Sequence, residues 1–117
     1  MKPIVQIEYS KRLLEERLAV LKQAGIAATG VLRPTSSWDL PIPADAVVLI
    51  GHRTLVEQRQ MLISRLRHES PVRRIIALLG RSDPFLHDVD ENCPADNPVQ
   101  WLRLVVEHSA LRHARKW

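Results

Sequence analysis

The sequence has few of the features that support covalent cross-links or membrane insertion. Cys93 is the only cysteine, which excludes an intrachain disulfide and a metal site built from several thiolates. No run of about 18 apolar residues occurs, so no segment is suited to span a bilayer as a helix. The N-terminal stretch reaches Gln6 and Glu8 too soon to contain the apolar core of a signal peptide. We therefore expect a soluble protein of a reducing cytoplasm with no membrane partner.

Aromatic residues make up only 4% of the chain, and the surplus of positive charge is small. The net charge is +4, and the excess comes from scattered arginines and from a basic tail that contains Arg112, His113, Arg115 and Lys116. No compact basic run interleaved with aromatic residues occurs, of the kind typical of nucleic-acid-binding surfaces. We expect a solvated basic surface and no nucleic-acid partner. A small nucleic-acid-binding regulator that uses the second helix and the tail stays open as an alternative.

Length and composition predict a single domain over residues 1–117. Apolar residues account for 45% of the chain and charged residues for 26%, the balance of an ordinary globular protein rather than an intrinsically disordered one. A chain of 117 residues can bury one hydrophobic core but not two.

The N-terminal part of the chain predicts a strand followed by a helix. Ile4–Ile7 is a short apolar run of the length of a buried strand. Ser10 is a suitable N-cap for a helix that continues to Ala24, because leucines recur there at helical spacing without glycine or proline. Gly25 stands where helices commonly end in a left-handed residue. These signals together indicate a β-α unit.

Further strands are predicted at Ala27–Leu32, Ala46–Ile50 and Arg74–Gly80, with a proline-rich loop that contains Trp38 at Pro34–Pro43. The run Ala46–Ile50 is continuously apolar rather than alternating, which is typical of a parallel strand covered on both faces. A short last strand is expected around residues 88–90. Any helix before it is expected to be reduced to a turn or two near residues 84–87.

The second helix is expected to begin after Thr54, with Glu57 completing a capping box. Its expected buried stripe consists of Leu55, Leu62, Ile63 and Leu66. Its expected water-facing residues are Arg59, Arg65 and Arg67. A last helix is expected from Pro98 to about His113.

Strands that alternate with helices in this way predict an α/β fold. Several segments also share their apolar runs and helix boundaries with one known family: Ile4–Ser10, Leu13–Leu14, Leu21–Gly25, Asp45–Ile50, Pro71–Gly80, and Asn97–Pro98 with Leu102 and Val105. The chain thereby resembles the receiver domains of two-component response regulators over nearly its whole length. The resemblance implies a flavodoxin-like parallel sheet of about five strands in the order 2-1-3-4-5, with helices on both faces and a truncated fourth helix.

The resemblance also implies positions for a phosphorylation site, and the required groups do not stand there. Glu8 and Tyr9 occupy the positions of the acidic pair that holds Mg²⁺ in the family, so Glu8 is the only remnant of that pair. Ile50 occupies the position of the phosphoacceptor aspartate. Leu79 and Gly80 stand where a hydroxyl residue belongs. No lysine occurs between Lys22 and Lys116, so the phosphate-binding lysine has no candidate. The chain therefore resembles a pseudo-receiver.

Few residues remain as candidates for chemistry. His52 follows the third strand and is the one residue that could replace the phosphoacceptor, although no lysine or hydroxyl pair supports it. The acidic residues Asp88, Asp90, Glu91 and Asp96 lack the spacing of a calcium loop. His108 and His113 are five residues apart, which does not place them on one helix face as zinc ligands. We therefore expect no catalytic residue, no metal and no cofactor.

The last helix carries two apolar stripes. One consists of Val99, Leu102 and Val106, and the other of Trp101, Leu104 and Leu111. We expect the first to cover the sheet and the second to contact a protein partner, most simply a second copy of the chain in a two-fold dimer. A packing of Trp101 onto its own core stays open.

The function that these observations favour is a non-enzymatic, phosphorylation-independent signalling module that acts in trans through protein contacts. An atypical response-regulator receiver in a phosphorelay stays open as an alternative.

Overall fold

The computed structural model of the protein describes residues 2–33 and 42–110. The expected loop residue Trp38, the expected contact residue Leu111 and the basic tail lie outside these ranges. The described elements are β1 (Ile4–Glu8), α1 (Lys11–Gln23), β2 (Thr29–Leu32), β3 (Val47–Ile50), α2 (Val56–Glu69), β4 (Arg74–Leu79), β5 (Glu91–Pro94) and α3 (Pro98–Ala110). No helix within these two ranges is long and apolar enough to cross a bilayer.

The five strands form one parallel sheet in the order β2-β1-β3-β4-β5. The apolar strands β1, β3 and β4 occupy its centre, where nearly every residue is buried. This placement follows from their sequences, because a central parallel strand has helices or loops over both faces and needs apolar side chains on both. The α/β class and the parallel sheet are confirmed, and the strand order is compatible with a flavodoxin-like fold.

The sheet separates two hydrophobic clusters. The first lies under α2 and includes Val48, Ile50 and Ile63. The second lies under α1 and α3 and includes Leu49, Leu21 and Trp101. Alternate residues of each strand contribute to opposite clusters because side chains alternate across a sheet. Helices therefore cover both faces, as expected.

The first helix follows its sequence signals. Ser10 has extended dihedral angles, and its side chain accepts a hydrogen bond from the Leu13 backbone N–H at 3.4 Å. Gly25 has φ of 79°, the left-handed conformation that glycine adopts without steric cost. Arg12 and Glu16 form the expected i,i+4 pair at 2.9 Å on the exposed side.

The second helix begins later than expected. Leu55 is at its N-cap position and makes no side-chain capping bond, and the Thr54 hydroxyl donates to the Gln58 side chain at 3.0 Å instead of accepting from a backbone N–H. The predicted capping box from Thr54 to Glu57 is therefore wrong. Leu55 is also 65% exposed rather than part of the buried stripe, because it precedes the helix at the edge of the sheet.

The connection between β4 and β5 differs from the prediction. Residues 81–90, all of which are described, contain no helical turn, so the expected remnant of a fourth helix is absent there. The last strand occupies Glu91–Pro94 rather than residues 88–90. Asp88 has φ of 63°, which a strand cannot include, and the Asp90 carboxylate accepts from the Ile75 backbone N–H at 2.7 Å. Asp88 and Asp90 therefore belong to the end of the loop, and β5 begins after them at Glu91.

The burial of α3 residues differs from the prediction. Trp101 is 1% exposed, packs in the cluster under α1 and α3, and donates from Nε1 to the Ala95 carbonyl at 3.3 Å. Leu104 is partly buried against the same cluster. The assignment of Trp101 to a protein-contact surface is therefore wrong, and the assignment of Leu104 stays a prediction. Val99 and Val106 are the exposed residues, because Trp101 and Val105 are large enough to fill the space over the sheet.

Candidate functional site

Because all five strands are parallel, their carboxyl ends meet at one edge of the sheet. β1 and β3 are neighbours there, yet β1 leads through α1 to one side and β3 leads through α2 to the other. The two connections diverge over opposite faces, as the two clusters show. Open parallel sheets have a crevice at such a switch point, where ligands commonly bind. We therefore take this edge as the candidate site.

A buried ion pair stands at the end of β1. Glu8 is fully buried, and its Oε2 accepts from Arg17 Nη1 at 2.5 Å and from the Gln6 side chain at 2.8 Å. Arg17 reaches it from α1, where it is also buried. Burial raises the pKa of the Glu8 carboxyl above its ordinary value, and the Arg17 guanidinium opposes that rise. Glu8 is thus hydrogen-bonded as expected, but it lies inside the protein and not in an exposed turn.

Gly51 makes the burial of Glu8 sterically feasible. It follows β3 on the same face of the sheet, and a Cβ atom at this position would overlap the Glu8 carboxylate. Any other residue would therefore displace either the carboxylate or the end of β3. The space where a side chain at position 51 would stand is occupied by the carboxylate of the neighbouring strand.

His52 follows Gly51 in the sequence and extends this group of polar side chains. Its Nδ1 lies 3.4 Å from Arg17 Nη2, and because a guanidinium can only donate, Nδ1 is the acceptor. The neutral ring then carries its proton on Nε2. Burial lowers the pKa of His52 below its ordinary value, and Arg17 lowers it further. Glu8, Arg17 and His52 therefore form one connected group that favours a neutral imidazole.

A second ion pair lies at the same edge of the sheet, between α2 and the loop after β4. Arg59 of α2 is 1% exposed and donates to both carboxylate oxygens of Asp83, at 2.9 and 3.0 Å. Asp83 also accepts from the Gly80 backbone N–H at 2.7 Å. The hydrogen bonds from Arg59 lower the pKa of Asp83 below its ordinary value. The prediction that Arg59 faces water is wrong.

At the other positions where the family resemblance implies a functional group, the residues are apolar or packed against the core. Ile50 is fully buried in the cluster under α2, and Leu79 lies in the same cluster. Tyr9 packs against that cluster, and burial raises the pKa of its hydroxyl. Among the described residues, no group of three or more acidic, histidine or cysteine side chains could hold a metal ion.

A cleft of about 790 Å³ opens beside these groups. It is bounded by α1, the residue after β3, the ends of β4 and β5, and the start of α3. Arg17, His52 and Gly80 form one wall, and Arg81, Phe85 and Asp96 lie around the rest. Among them, His52 and Asp96 were considered from the sequence as candidates for chemistry.

Arg17 and Arg59 were missed, although helix spacing contained a signal for both. Arg17 precedes the buried Leu21 by four residues, and Arg59 precedes the buried Ile63 by four, so each lies on the apolar stripe of its helix. An arginine within such a stripe is expected to need an internal acid. Asp83 lacked such a signal, because only the fold brings its loop next to α2.

In comparisons with known proteins, no protein-family model matches the sequence, and neither the curated proteins nor the solved structures include a significant match. The geometry of this edge is therefore the basis for a functional proposal.

Proposed function

We propose that the chain is a receiver-like regulatory domain of the cytoplasm that acts through protein contacts and without phosphorylation. The buried Glu8–Arg17 pair is the observation on which this proposal depends. In a receiver the acidic turn must offer carboxylate oxygens to Mg²⁺. Here the one acid at that position is held by an internal cation at 2.5 Å and is closed off from solvent. The Arg17 guanidinium thus supplies, as part of the fold, the positive charge that a bound Mg²⁺ supplies in a receiver.

The end of β3 supports the same proposal. Ile50 is apolar and buried, and Gly51 has no space for a side chain while Glu8 is in place. An acceptor at either position would require the local structure to change. The nearest nucleophile is His52, whose Nδ1 is occupied by Arg17. These contacts favour a constitutive conformation over one that is switched by phosphate.

The test is incubation of the full chain with acetyl phosphate and Mg²⁺, followed by intact-mass measurement. We expect no increase in mass, with an active receiver domain as the positive control. A gain of one phosphoryl group would overturn the proposal in favour of the phosphorelay alternative. Loss of that gain in His52→Gln would then identify His52 as the acceptor.

The arginines of α2 do not support a nucleic-acid function. Arg59 is held by Asp83 inside the fold. Arg67 donates to the carbonyls of Pro71, Arg73 and Asp88 and to the Asp90 carboxylate, and so fastens α2 to the loops around β4. These guanidinium groups serve the fold instead of forming a basic face.

For the protein contact we propose self-association through an apolar stripe of α3 in which Val99 and Val106 are exposed and Leu102 is partly buried. Arg103 and Glu107 flank this stripe on one side and are both exposed. In a two-fold antiparallel pair of helices, Arg103 of each copy can meet Glu107 of the other, so the surface is complementary to itself. The occupant that fits this pattern is a second copy of the chain.

Sedimentation velocity tests the self-association. We expect concentration-dependent dimerisation that Val106→Glu abolishes, since the charge enters the centre of an apolar contact. Met61→Glu is the matched control, because Met61 is an exposed apolar residue of α2 outside the stripe. A wild-type protein that stays monomeric at high concentration, or equal effects of both substitutions, would overturn the dimer.

A further inference from the structure

The cleft at the carboxyl edge of the sheet is large enough for a small organic molecule. Its volume of about 790 Å³ lies within the range of about 300–1,000 Å³ that is usual for ligand pockets. His52 and Asp83, whose pKa values are shifted, both line it, and the buried Glu8 contacts the lining residue Arg17. Such a combination of a cleft and perturbed groups is typical of a binding site.

The wall around His52 favours a negative group. Three guanidinium groups act on the imidazole, those of Arg17, Arg59 and Arg53, against the single carboxylate of Asp83. Glu8 offsets the charge of Arg17 and Asp83 offsets that of Arg59, so this wall favours an anion through its hydrogen-bond donors and not through a net positive charge. With Nδ1 engaged by Arg17, the neutral ring offers its Nε2–H as a donor. Arg81 at the same cleft is exposed and has no hydrogen-bond or ion-pair partner within the described ranges, so it is available to a ligand.

The cleft also has an exposed aromatic residue on its lining. Phe85 is 75% exposed, although phenyl rings are usually buried, and it lines the cleft beside Pro94. An exposed ring at a cleft offers a flat surface on which another ring can stack, and such aromatic pairs are favourable beyond their buried area. The loop that carries Phe85 is anchored at Leu86, which exchanges two backbone hydrogen bonds with the Asn92 side chain. Phe85 is thus held at the rim in a defined place.

The acids of the cleft limit the charge that a ligand can carry. Glu16, Asp83 and Asp96 all line it. Asp83 is neutralised by Arg59, and Glu16 is paired with Arg12, whereas Asp96 has no partner within the described residues. Asp96 repels any anion in the cleft, and it repels a dianion more strongly, so a ligand with one negative charge is better matched than a dianionic phosphate.

From these observations we propose that the cleft binds a small aromatic carboxylate. The carboxylate lies against His52 and Arg81, and the ring stacks on Phe85. This binding is independent of the α3 stripe and of phosphorylation, so it adds a ligand-responsive site to the proposed regulatory domain.

Two-dimensional NMR of the full-length, isotope-labelled protein tests the proposal with benzoate as the probe. We expect saturable shifts of the amides of residues 80–85 and of the His52 ring. Benzyl alcohol, which lacks the charge, should bind about tenfold more weakly, as expected for the loss of one charge-assisted hydrogen bond. Phenyl phosphate should also bind more weakly than benzoate.

Two exposed residues provide variants that leave the core intact. Arg81→Ala and Phe85→Ala should each weaken benzoate binding about fivefold. The matched controls are Lys22→Ala and Met61→Ala, which remove an exposed cation and an exposed apolar side chain that do not line the cleft. Shifts outside the cleft, equal losses in the variants and their controls, or tighter binding of phenyl phosphate would overturn the proposal. None of these outcomes bears on the acetyl phosphate or sedimentation experiments.

Discussion

The carboxylate of Glu8 occupies the space that a side chain at Gly51 would need. The two residues belong to neighbouring strands, and each restricts the other: the buried acid requires a glycine, and the glycine leaves room for the acid. Arg17 completes the arrangement, because its guanidinium donates a hydrogen bond to the Glu8 carboxylate. The polar groups at this edge therefore lie inside the protein and are held by contacts with one another.

The first prediction concerns this steric relationship. Gly51→Ala should lower the free energy of unfolding by about 1–3 kcal/mol, because the methyl group overlaps a carboxylate that is enclosed on all sides. Gly80→Ala is the matched control and should cost less, since its methyl group meets the half-buried His52 ring at 3.0 Å, which can move. Urea unfolding measures both variants.

A double-mutant cycle sharpens this prediction. Glu8→Ala removes the overlap, so Gly51→Ala should cost less in that background than in the wild type. Simple additivity of the two free-energy changes would show that the overlap is not the cause.

The second prediction concerns pH. The pKa of His52 is lower in the folded state than its ordinary value of about 6.5. As the pH falls below that value, the unfolded chain takes up the proton first, so the stability contributed by His52 is complete above about pH 6.5 and is lost as the pH falls through the folded pKa. His52→Gln should therefore lose less unfolding free energy than the wild type between about pH 7.5 and about pH 5.

Glu8 changes stability in the opposite sense. Its pKa is raised, so its contribution is complete below its ordinary value of about 4.5 and is lost as the pH rises through the folded pKa. Both proteins retain Glu8, and the difference between them isolates His52. Parallel pH curves for the two proteins would contradict a neutral, buried imidazole.

The third prediction concerns the Arg59–Asp83 pair. Asp83→Asn should lower the free energy of unfolding by about 2–3 kcal/mol, because it leaves the guanidinium of Arg59 buried without its counter-charge. Glu16→Gln in the exposed pair with Arg12 is the control and should change stability by about 0.5 kcal/mol or less. Equal shifts of the urea midpoint in the two variants would mean that the buried Arg59–Asp83 pair stabilises the fold no more than the exposed Arg12–Glu16 pair.

The fourth prediction concerns α3. Trp101→Ala should destabilise the protein by about 3–5 kcal/mol through the cavity that it leaves between α3 and the sheet. Val99→Ala on the exposed stripe should change stability by no more than about 0.5 kcal/mol. Thermal unfolding of both variants checks this difference. A stable, folded Trp101→Ala variant would contradict the placement of this side chain in the core.

Much of the architecture follows from local sequence. The apolar runs of β1, β3 and β4, the Ser10 cap and the glycine at position 25 are signals that act within a few residues, and the parallel sheet follows from the alternation of strands with helices. The family resemblance added the expected strand order, which agrees with the observed one.

The candidate site was only partly predictable. Glu8 and His52 were named because they follow strands, but their partners come from elsewhere in the chain: Arg17 contacts Glu8 across nine residues and His52 across 35. The same holds for Arg59 and Asp83, which are 24 residues apart. A local pattern contains no information on which loop a helix will meet.

The sequence by itself determined the class of fold, the central strands and the presence of two apolar stripes on α3, because periodicity and capping act over one or two turns. Only the tertiary structure decided which stripe is buried and which arginines are internal. Those choices depend on the shape of the space over the sheet, which Trp101 and Val105 fill. They also depend on the cost of burying a charge, which requires Arg17 and Arg59 to meet Glu8 and Asp83.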